Sequence, residues 1–312
     1  MEIDIISLLT FITAMAIVGT LCAACARLGW PFELATHFRV QYLLALLFGA
    51  AGFLLAHRPL EAAVAALFAL LNAIAVLPLY RRGAAVQRGA RTLRVLMMNV
   101  QCVNAAHERV RRVVESSDPD ILLVVEYTPA WHEALRPLAA RYPHAQHEAR
   151  DGGYGIALWS RIPFADASVQ QIGSSEMPSV IARFEFHGRP VTLIGTHPRS
   201  PKNRAASVAR NHQLAELARH AALHEGEVLM VGDLNTSPWS PTFRDLLRDS
   251  GLRDGRIGHG IQPTWPALFP PLWTPIDHCL VSRGLRVARL RRGPHVGSDH
   301  FPVLADIHVS SF

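Results

Sequence analysis

Three long stretches near the N-terminus carry no charged residue, and they limit the fold of this region more than any other feature. They cover residues 5–26, 40–56 and 62–80 of the 312-residue chain. A helix needs about 20 apolar residues to cross a bilayer. None of the stretches has the polar face of a helix that packs on a soluble core. We therefore predict a membrane region at residues 1–80, with three hydrophobic helices joined by short polar loops. The alternative is a buried helical bundle.

Basic residues concentrate directly after the third stretch. Five arginines account for all but one unit of the formal net charge of +6, and they are Arg81, Arg82, Arg88, Arg91 and Arg94. Lys and Arg beside membrane helices favour the cytoplasmic face and attract anionic lipid headgroups. We therefore predict an integral membrane protein with a basic linker at residues 81–92. A domain at residues 93–312 follows, predicted on the cytoplasmic side of the inner or cell membrane. Its near-neutral charge argues mildly against tight binding of duplex DNA.

Beyond the linker, short apolar runs alternate with segments of helical periodicity. We predict strands at residues 93–99, 121–125, 155–160, 179–186, 191–197, 227–235, 276–282 and 301–309. Helices are predicted at residues 107–117, 131–138 and 243–252, with a further basic helix beginning near Arg204. Some strand neighbours have the short connections of hairpins, whereas others are separated by a helix. This mixture predicts an α/β (α+β) sandwich rather than a parallel sheet alone.

Polar side chains follow the apolar residues where these strands end. Asp233 and Asn235 are two positions apart, so on a strand they project from the same face. Each polar residue alone is equally well explained as a turn or capping residue. Six such strand ends in one domain favour a shared site, because unpaired buried carboxylates cost free energy. The residues are Asn99, Glu126, His197, Asp233, Asn235, Asp277, Asp299 and His300.

The order of these residues resembles the endonuclease/exonuclease/phosphatase superfamily. This family includes deoxyribonuclease I-like nucleases, inositol polyphosphate 5-phosphatases and neutral sphingomyelinases. The resemblance rests mainly on Gly232-Asp233-Leu234-Asn235 and Gly297-Ser298-Asp299-His300. It covers residues 93–309 and leaves out the membrane region, so the chain resembles a membrane-anchored bacterial-type member. It implies a four-layer sandwich of two packed mixed β-sheets flanked by helices, with an active site at one edge.

Three of the polar residues are implied to hold a divalent cation. By resemblance, Glu126 is the principal metal ligand, with Asn99 and Asp299 close to the ion. Carboxylate and amide oxygens are ligands that Mg²⁺ prefers, and the ion keeps several waters. We therefore predict Mg²⁺ as the cofactor, with Mn²⁺ as an alternative.

Five residues are implied to carry the catalytic steps. By resemblance, Asp233 orients or deprotonates the attacking water, and Asn235 holds the phosphoryl oxygens. His300, oriented by Asp277, is the general acid or base, or stabilises the transition state. His197 contacts the phosphate or the leaving oxygen. Phosphate ester hydrolysis needs neutralised charge on the non-bridging oxygens, a positioned water and a proton for the leaving oxygen.

The expected partner of His197 is missing. The deoxyribonuclease branch pairs this histidine with an upstream glutamate, but the corresponding residues 151–158 contain none. Tyr154 is a weaker candidate.

The leading hypothesis is a membrane-anchored, metal-dependent phosphoesterase that hydrolyses phosphodiester bonds, as nucleases do, or related phosphate esters. Its substrate, which is a nucleic acid, a phospholipid or a small phosphodiester, stays open, and no obligate protein partner is evident. Arg199, Arg204 and Asn211 follow His197 and are candidates for substrate binding, although a solvated helix face is the more ordinary explanation for such residues.

Two alternative functions are retained. The first is a phospholipid headgroup phosphodiesterase of the sphingomyelinase type. The second is a non-catalytic phosphate-binding membrane adaptor, against which the complete set of motif residues argues.

Overall fold

The computed structural model describes residues 4–81 and 92–309 of the chain. Its N-terminal part is helical. Helices α1 to α4 cover Ile5–Ala24, Phe32–Ala35, Arg39–Leu55 and Pro59–Val76. Three segments are long and apolar enough to cross a membrane, and they are Ile5–Ala24, Phe32–Leu55 and Pro59–Tyr80. The three predicted hydrophobic helices are therefore present. Most of the predicted linker at 81–92 lies outside the described residues, so the domain boundary and the cytoplasmic orientation stay predictions.

The long helices form one packed unit. A Cβ atom at Gly49 of α3 would lie only 2.3 Å from the hydroxyl of Thr13 in α1, so the helices approach closely there. Asn72 of α4 donates to the hydroxyl of Thr20 over 2.8 Å and accepts from Arg39 over 3.1 Å. Close packing at small residues and hydrogen bonds between helices are the main attractions within a bilayer.

The connection between α1 and α3 differs from the predicted short polar loop. It contains α2 and a 3₁₀ turn at Thr36–Phe38. Its polar residues Glu33, Thr36 and His37 are buried. The hydroxyl of Thr36 lies 3.3 Å from that of Ser237, far along the chain. The polar residues of this connection are therefore buried against the C-terminal region and do not face water.

The C-terminal region contains two six-stranded sheets within the described residues. Strands β1 to β6 cover Leu93–Asn99, Ile121–Val125, His144–Glu148, Ile156–Ser160, Asp166–Gln171 and Pro178–Phe186. Strands β7 to β12 cover Arg189–Thr196, Glu227–Asp233, Arg253–Asp254, Asp277–Val281, Leu285–Arg292 and Val303–Val309. The strand orders are β11-β12-β1-β2-β4-β3 and β5-β6-β7-β8-β10-β9.

Helices cover the outer face of each sheet. Helices α5 to α8 cover His107–Ser117, Pro129–Leu135, Arg204–Ala222 and Pro241–Ser250. Trp131 of α6 is buried with side chains of the first sheet, and Leu214 of α7 is buried with side chains of the second. Between the sheets, side chains such as Leu123 and Leu229 are fully buried. The predicted four-layer sandwich of mixed sheets is confirmed.

Two parallel strand pairs bring the polar strand ends together. Strand β1 runs parallel to β2, so Asn99 lies beside Val125 at the end of both strands. Strands β7 and β8 are also parallel. Parallel neighbours end at the same edge of a sheet. The antiparallel strand β10 begins at that edge, where Asp277 lies beside Asp233.

Gly232 allows β7 and β8 to approach closely just before the polar cluster. A Cβ atom at this position would lie 1.9 Å from the main-chain oxygen of Thr196. This close approach explains the glycine that precedes Asp233.

Candidate active site

Asp233 is the centre of a buried polar cluster at the shared edge. Its Oδ2 accepts a hydrogen bond from Nδ2 of Asn99 over 3.1 Å. The Nε2 atoms of His197 and His300 each lie 3.5 Å from the same oxygen. Burial, and after it the charge of Asp277, raises the pKa of Asp233 to about 7. One carboxylate oxygen thus joins side chains from several strand ends.

His300 and Asp277 form a buried hydrogen-bonded pair. Nδ1 of His300 lies 2.9 Å from Oδ2 of Asp277, which is fully buried. Burial alone would lower the pKa of His300, but the carboxylates of Asp277 and Asp233 outweigh it and raise the pKa to about 10. The metal-free imidazole is therefore protonated at neutral pH. With Nδ1 donating to Asp277, it has the Nε2 proton available for transfer.

His197 has the opposite protonation state. Burial lowers its pKa to about 4, so the ring is neutral at physiological pH. Within the described part of the chain, its Nδ1 has no hydrogen-bond partner. The site therefore combines one protonated and one neutral histidine on either side of Asp233.

Glu126 follows β2 and lines the same cluster. Its Oε1 accepts from Nδ2 of Asn99 over 3.1 Å, and its Oε2 accepts from the main-chain N–H of Cys102 over 2.9 Å. The Oδ1 of Asn99 accepts from the main-chain N–H of Gln101 over 3.0 Å. Asn99 therefore contacts Glu126 as a donor, while its Oδ1, the atom that a metal ion would use, accepts one main-chain hydrogen bond.

Asp299 has an unused oxygen that fits a cation. Its Oδ2 accepts from the indole N–H of Trp265 over 3.2 Å. Its Oδ1 is buried with no partner among the residues that the structure describes. An unpaired buried carboxylate oxygen costs free energy, which a bound cation offsets. Glu126 and Asp299 together supply the oxygen donors that Mg²⁺ and Mn²⁺ prefer.

A second group of possible ligands is less suitable for a metal ion. Asp233, Asp277 and His300 have ligand atoms within 4.8 Å of one another. A protonated imidazole has no free lone pair for a metal, since both ring nitrogens then act as donors. In the metal-free protein, the raised pKa of His300 therefore favours proton transfer over metal binding at this group.

Three residues of the site have left-handed backbone conformations. The φ angles are 57° at Gln101, 59° at Glu126 and 51° at Asn235. Such conformations of non-glycine residues cost about 1–3 kcal/mol each and persist only where the surroundings hold them. One such restraint is the hydrogen bond from the main-chain N–H of Asp299 to Oε1 of Gln101, over 3.1 Å.

The cluster opens into a cavity of about 490 Å³. Its polar lining contains Glu126, His197, Asp233, Asn235, Asp299 and His300. Trp265, from the proline-rich loop, lines the cavity as well. A further part of the wall comes from the connection between α1 and α3, through Leu34, His37 and Phe38. Residues of the membrane region and of the sandwich therefore line one cavity.

The three predicted substrate-binding residues are not among those that line this cavity. Arg199 pairs with a surface glutamate over 2.9 Å, and Arg204 is exposed at the start of α7. Asn211 faces Glu33, with its Nδ2 3.4 Å from that carboxylate. Lys202 lines the cavity instead. Arg199 and Asn211 contact the carboxylates of Glu176 and Glu33. The order of residues in the sequence did not indicate these partners.

Residues 98–300 match the Endonuclease/Exonuclease/phosphatase family, and the chain belongs to this family.

Relatives and solved structures agree with this fold. An inositol phosphosphingolipids phospholipase C of Saccharomyces cerevisiae is 23% identical over 164 residues, which are 45% of this chain and 34% of that protein. The chain thus matches about a third of the length of this curated relative. A humanized D. rerio TDP2 has a TM-score of 0.59 at 16% identity, over 70% of this chain and 99% of that chain. Sphingomyelinase C from Streptomyces griseocarneus has a TM-score of 0.50 at 18% identity, over 69% and 99%.

Replacing Asp277 with asparagine is expected to lower the pKa of His300, because the carboxylate that holds its proton is removed. If His300 donates a proton, the alkaline limb of the kcat–pH profile then moves to lower pH by about one unit or more. In metal-free wild-type protein, the stability due to the raised pKa is complete below the ordinary value of 6.5 and is lost as the pH rises through about 10. Unfolding in EDTA should show this loss in the wild type and less of it in the variant. An unmoved alkaline limb would contradict this role for His300.

Proposed function

We propose that this chain is a membrane-embedded, divalent-metal-dependent phosphodiesterase that hydrolyses the headgroup phosphodiester of a lipid. The observation that carries the proposal is the wall of the cavity. Leu34, His37 and Phe38 belong to the helical membrane region, and they line the same cavity as Asp233 and His300.

The contacts around the cavity support a site at the membrane surface. The indole N–H of Trp30 donates to the main-chain oxygen of Pro201 over 3.1 Å. The main-chain oxygen of Leu79, at the end of the third apolar segment, accepts from the main-chain N–H of Gly258 over 2.8 Å. If all three segments cross the bilayer, the first connection and the end of the third segment emerge on the same face. The sandwich then sits against that face, at the depth of lipid headgroups.

The residues can carry the steps of hydrolysis. Asp233, with a pKa of about 7, accepts the proton of the attacking water near neutral pH. His300 donates a proton to the leaving oxygen and is restored through solvent, while Asp277 holds its ring. Neutral His197 and the amide of Asn235 contact the phosphoryl group from the cavity wall.

Two carboxylates are proposed to hold the cation. Glu126 and Asp299 would bind Mg²⁺ or Mn²⁺, with Asn99 fixing Glu126 by its amide N–H. A divalent cation there supplies positive charge for the non-bridging phosphoryl oxygens.

The names of the relatives support a lipid as the substrate. Experiment has to exclude a nucleic acid as the substrate. The yeast protein and the Streptomyces griseocarneus enzyme are named for sphingolipid substrates. A D. rerio TDP2 structure, in contrast, was solved with a single-strand DNA product. Because these identities are low, the wall formed by the membrane region is the stronger argument.

Replacing Leu34 with serine is expected to slow hydrolysis of a lipid in vesicles by about tenfold, and hydrolysis of bis-p-nitrophenyl phosphate by less than about twofold. The reason is that a polar wall no longer accommodates the apolar part of a lipid, whereas a soluble diester needs only the polar groups. The assay uses full-length protein in detergent with vesicles that contain phosphocholine or phosphoinositol sphingolipids.

The matched control is Leu28→Ser. Leu28 is exposed in the same connection and does not line the cavity. A lipid substrate would be contradicted if Leu34→Ser lost as much activity on the soluble diester as on the lipid. It would also be contradicted if the wild type hydrolysed single-stranded DNA faster than any lipid.

A further inference from the structure

A buried ion pair joins the membrane region to the sandwich. Nη2 of Arg210 in α7 lies 2.5 Å from Oε2 of Glu33 in α2, and their side chains are 0% and 3% exposed. Oε1 of Glu33 accepts from the hydroxyl of Ser240 over 2.6 Å. Both carboxylate oxygens are therefore bonded to the sandwich, 177 and 207 residues further along the chain.

The same guanidinium reaches the active site. Nη1 of Arg210 donates to the main-chain oxygen of Asn235 over 2.5 Å, and Nε donates to Oδ1 of Asn211 over 2.8 Å. Asn235 has a left-handed backbone, with a φ of 51°. Its own side chain is directed by a bond from Nδ2 to the main-chain oxygen of Pro198 over 3.0 Å. Arg210 thus restrains Asn235 through the main-chain oxygen of Asn235.

The loop after β8 meets the membrane region at more than one point. Glu33 binds Ser240 at its end, and Thr36 lies 3.3 Å from Ser237 in its middle. Arg210 connects Glu33 with the beginning of the loop at Asn235. Residues 235, 237 and 240 of this loop therefore contact α2, the 3₁₀ turn that follows it, or the arginine that Glu33 neutralises.

Burial makes this arrangement dependent on both charges. A buried charge that loses its partner is strongly unfavourable, so the remaining group moves toward water or recruits another partner. Without the carboxylate of Glu33, the guanidinium of Arg210 is a buried charge with no opposite charge beside it, which raises the free energy of the folded state. Its departure would release the main-chain oxygen of Asn235.

We propose that Arg210 is a positioning residue for the active site, and that Glu33 of the membrane region holds it in place. The membrane region is then a part of the catalytic scaffold as well as an anchor. The inference rests on the proposed function for the role of Asn235, which contacts the substrate, while Arg210 acts through it.

Glu33→Gln in the full-length protein tests the proposal. Glutamine keeps an oxygen for Ser240 but removes the charge that Arg210 requires. On bis-p-nitrophenyl phosphate we expect kcat to fall by about 10- to 100-fold, the range for a misplaced catalytic group, with KM changed by less than about threefold. Amide hydrogen exchange in residues 234–240 should become faster, and Arg210→Lys, which retains a charge but not the forked donor, should show the same pattern.

The matched control is Arg27→Gln. Arg27 pairs with Asp245 over 2.9 Å and also joins the two regions, but at the surface and away from the cavity. This variant should retain wild-type kcat and exchange rates. A kcat within about twofold of wild type in Glu33→Gln, or an equal loss in Arg27→Gln, would overturn the proposal.

The exchange measurement separates this inference from the proposed function. If the wild type hydrolyses no lipid but turns over the soluble diester, the lipid substrate is wrong and the positioning role is still measured. If the wild type turns over no diester, the proposed function fails, and unchanged exchange in Glu33→Gln would overturn the positioning role independently.

Discussion

Replacing Asp233 with asparagine is expected to lower kcat by about 10²- to 10⁴-fold, the usual contribution of a general base. The change is isosteric, so Asn235, which bonds to Oδ1 of Asp233 through its main-chain N–H, keeps an acceptor. The variant loses the negative charge of Asp233, which attracts a proton from water and from the nearby His197 and His300. The measurement is the rate of diester hydrolysis at saturating substrate in Mg²⁺, with Asp166→Asn on an exposed strand as the control.

The same variant is expected to lose less stability than the wild type as the pH rises through about 7 in EDTA. The sign follows from the pKa of Asp233, which is raised from 3.8 to about 7. A raised pKa means that the stability due to the protonated acid is present below the ordinary value and is lost as the pH rises through about 7. Asparagine stays neutral and avoids that loss. A variant whose stability falls through pH 7 as steeply as that of the wild type would contradict the raised pKa of Asp233.

Replacing Glu126 with glutamine is expected to weaken Mn²⁺ binding by about 10- to 100-fold or more. Glutamine can still accept from the main-chain N–H of Cys102, but it lacks the charge that a divalent cation requires. Diester hydrolysis should fall in parallel and recover partly at high Mn²⁺ concentration. Calorimetric titration of the metal-free full-length protein measures the binding directly, without relying on activity.

Glu108→Gln is the control for this change, since Glu108 is an exposed carboxylate on α5. It should bind Mn²⁺ as the wild type does. Unchanged Mn²⁺ affinity in Glu126→Gln would mean that the cation binds elsewhere, with the group of Asp233, Asp277 and His300 as the first candidate.

Apolar patterning predicted the central strands but not the sheet edges. The predicted bounds of β1, α5 and β2 match the structure, because each has a continuous or periodic apolar pattern that is buried. Strands β3, β5, β9 and β11 were missed, and all of them lie at sheet edges. Edge strands are partly solvated and polar, so they lack the apolar run that the prediction used. The burial of β3 alternates between intermediate and exposed residues.

The polar cluster was predictable because each of its residues stands at a strand end. Parallel pairing then places Asn99 near Glu126 without further information. The ion pair of Glu33 and Arg210 was not predictable in this way. Arg210 lies in the helix that was predicted as basic, yet it is buried, because a carboxylate 177 residues earlier neutralises it. Glu33 itself is the only signal, as an acidic residue between two apolar stretches.

The central claim is that the membrane region and the sandwich form one active site for a lipid phosphodiester. Its most direct test is the release of the water-soluble phosphorylated headgroup from sphingolipid vesicles by full-length protein. We expect release that requires Mg²⁺ or Mn²⁺, stops in Asp233→Asn, and exceeds the turnover of single-stranded DNA. Metal-independent release, or turnover of nucleic acid but not of any vesicle lipid, would contradict it.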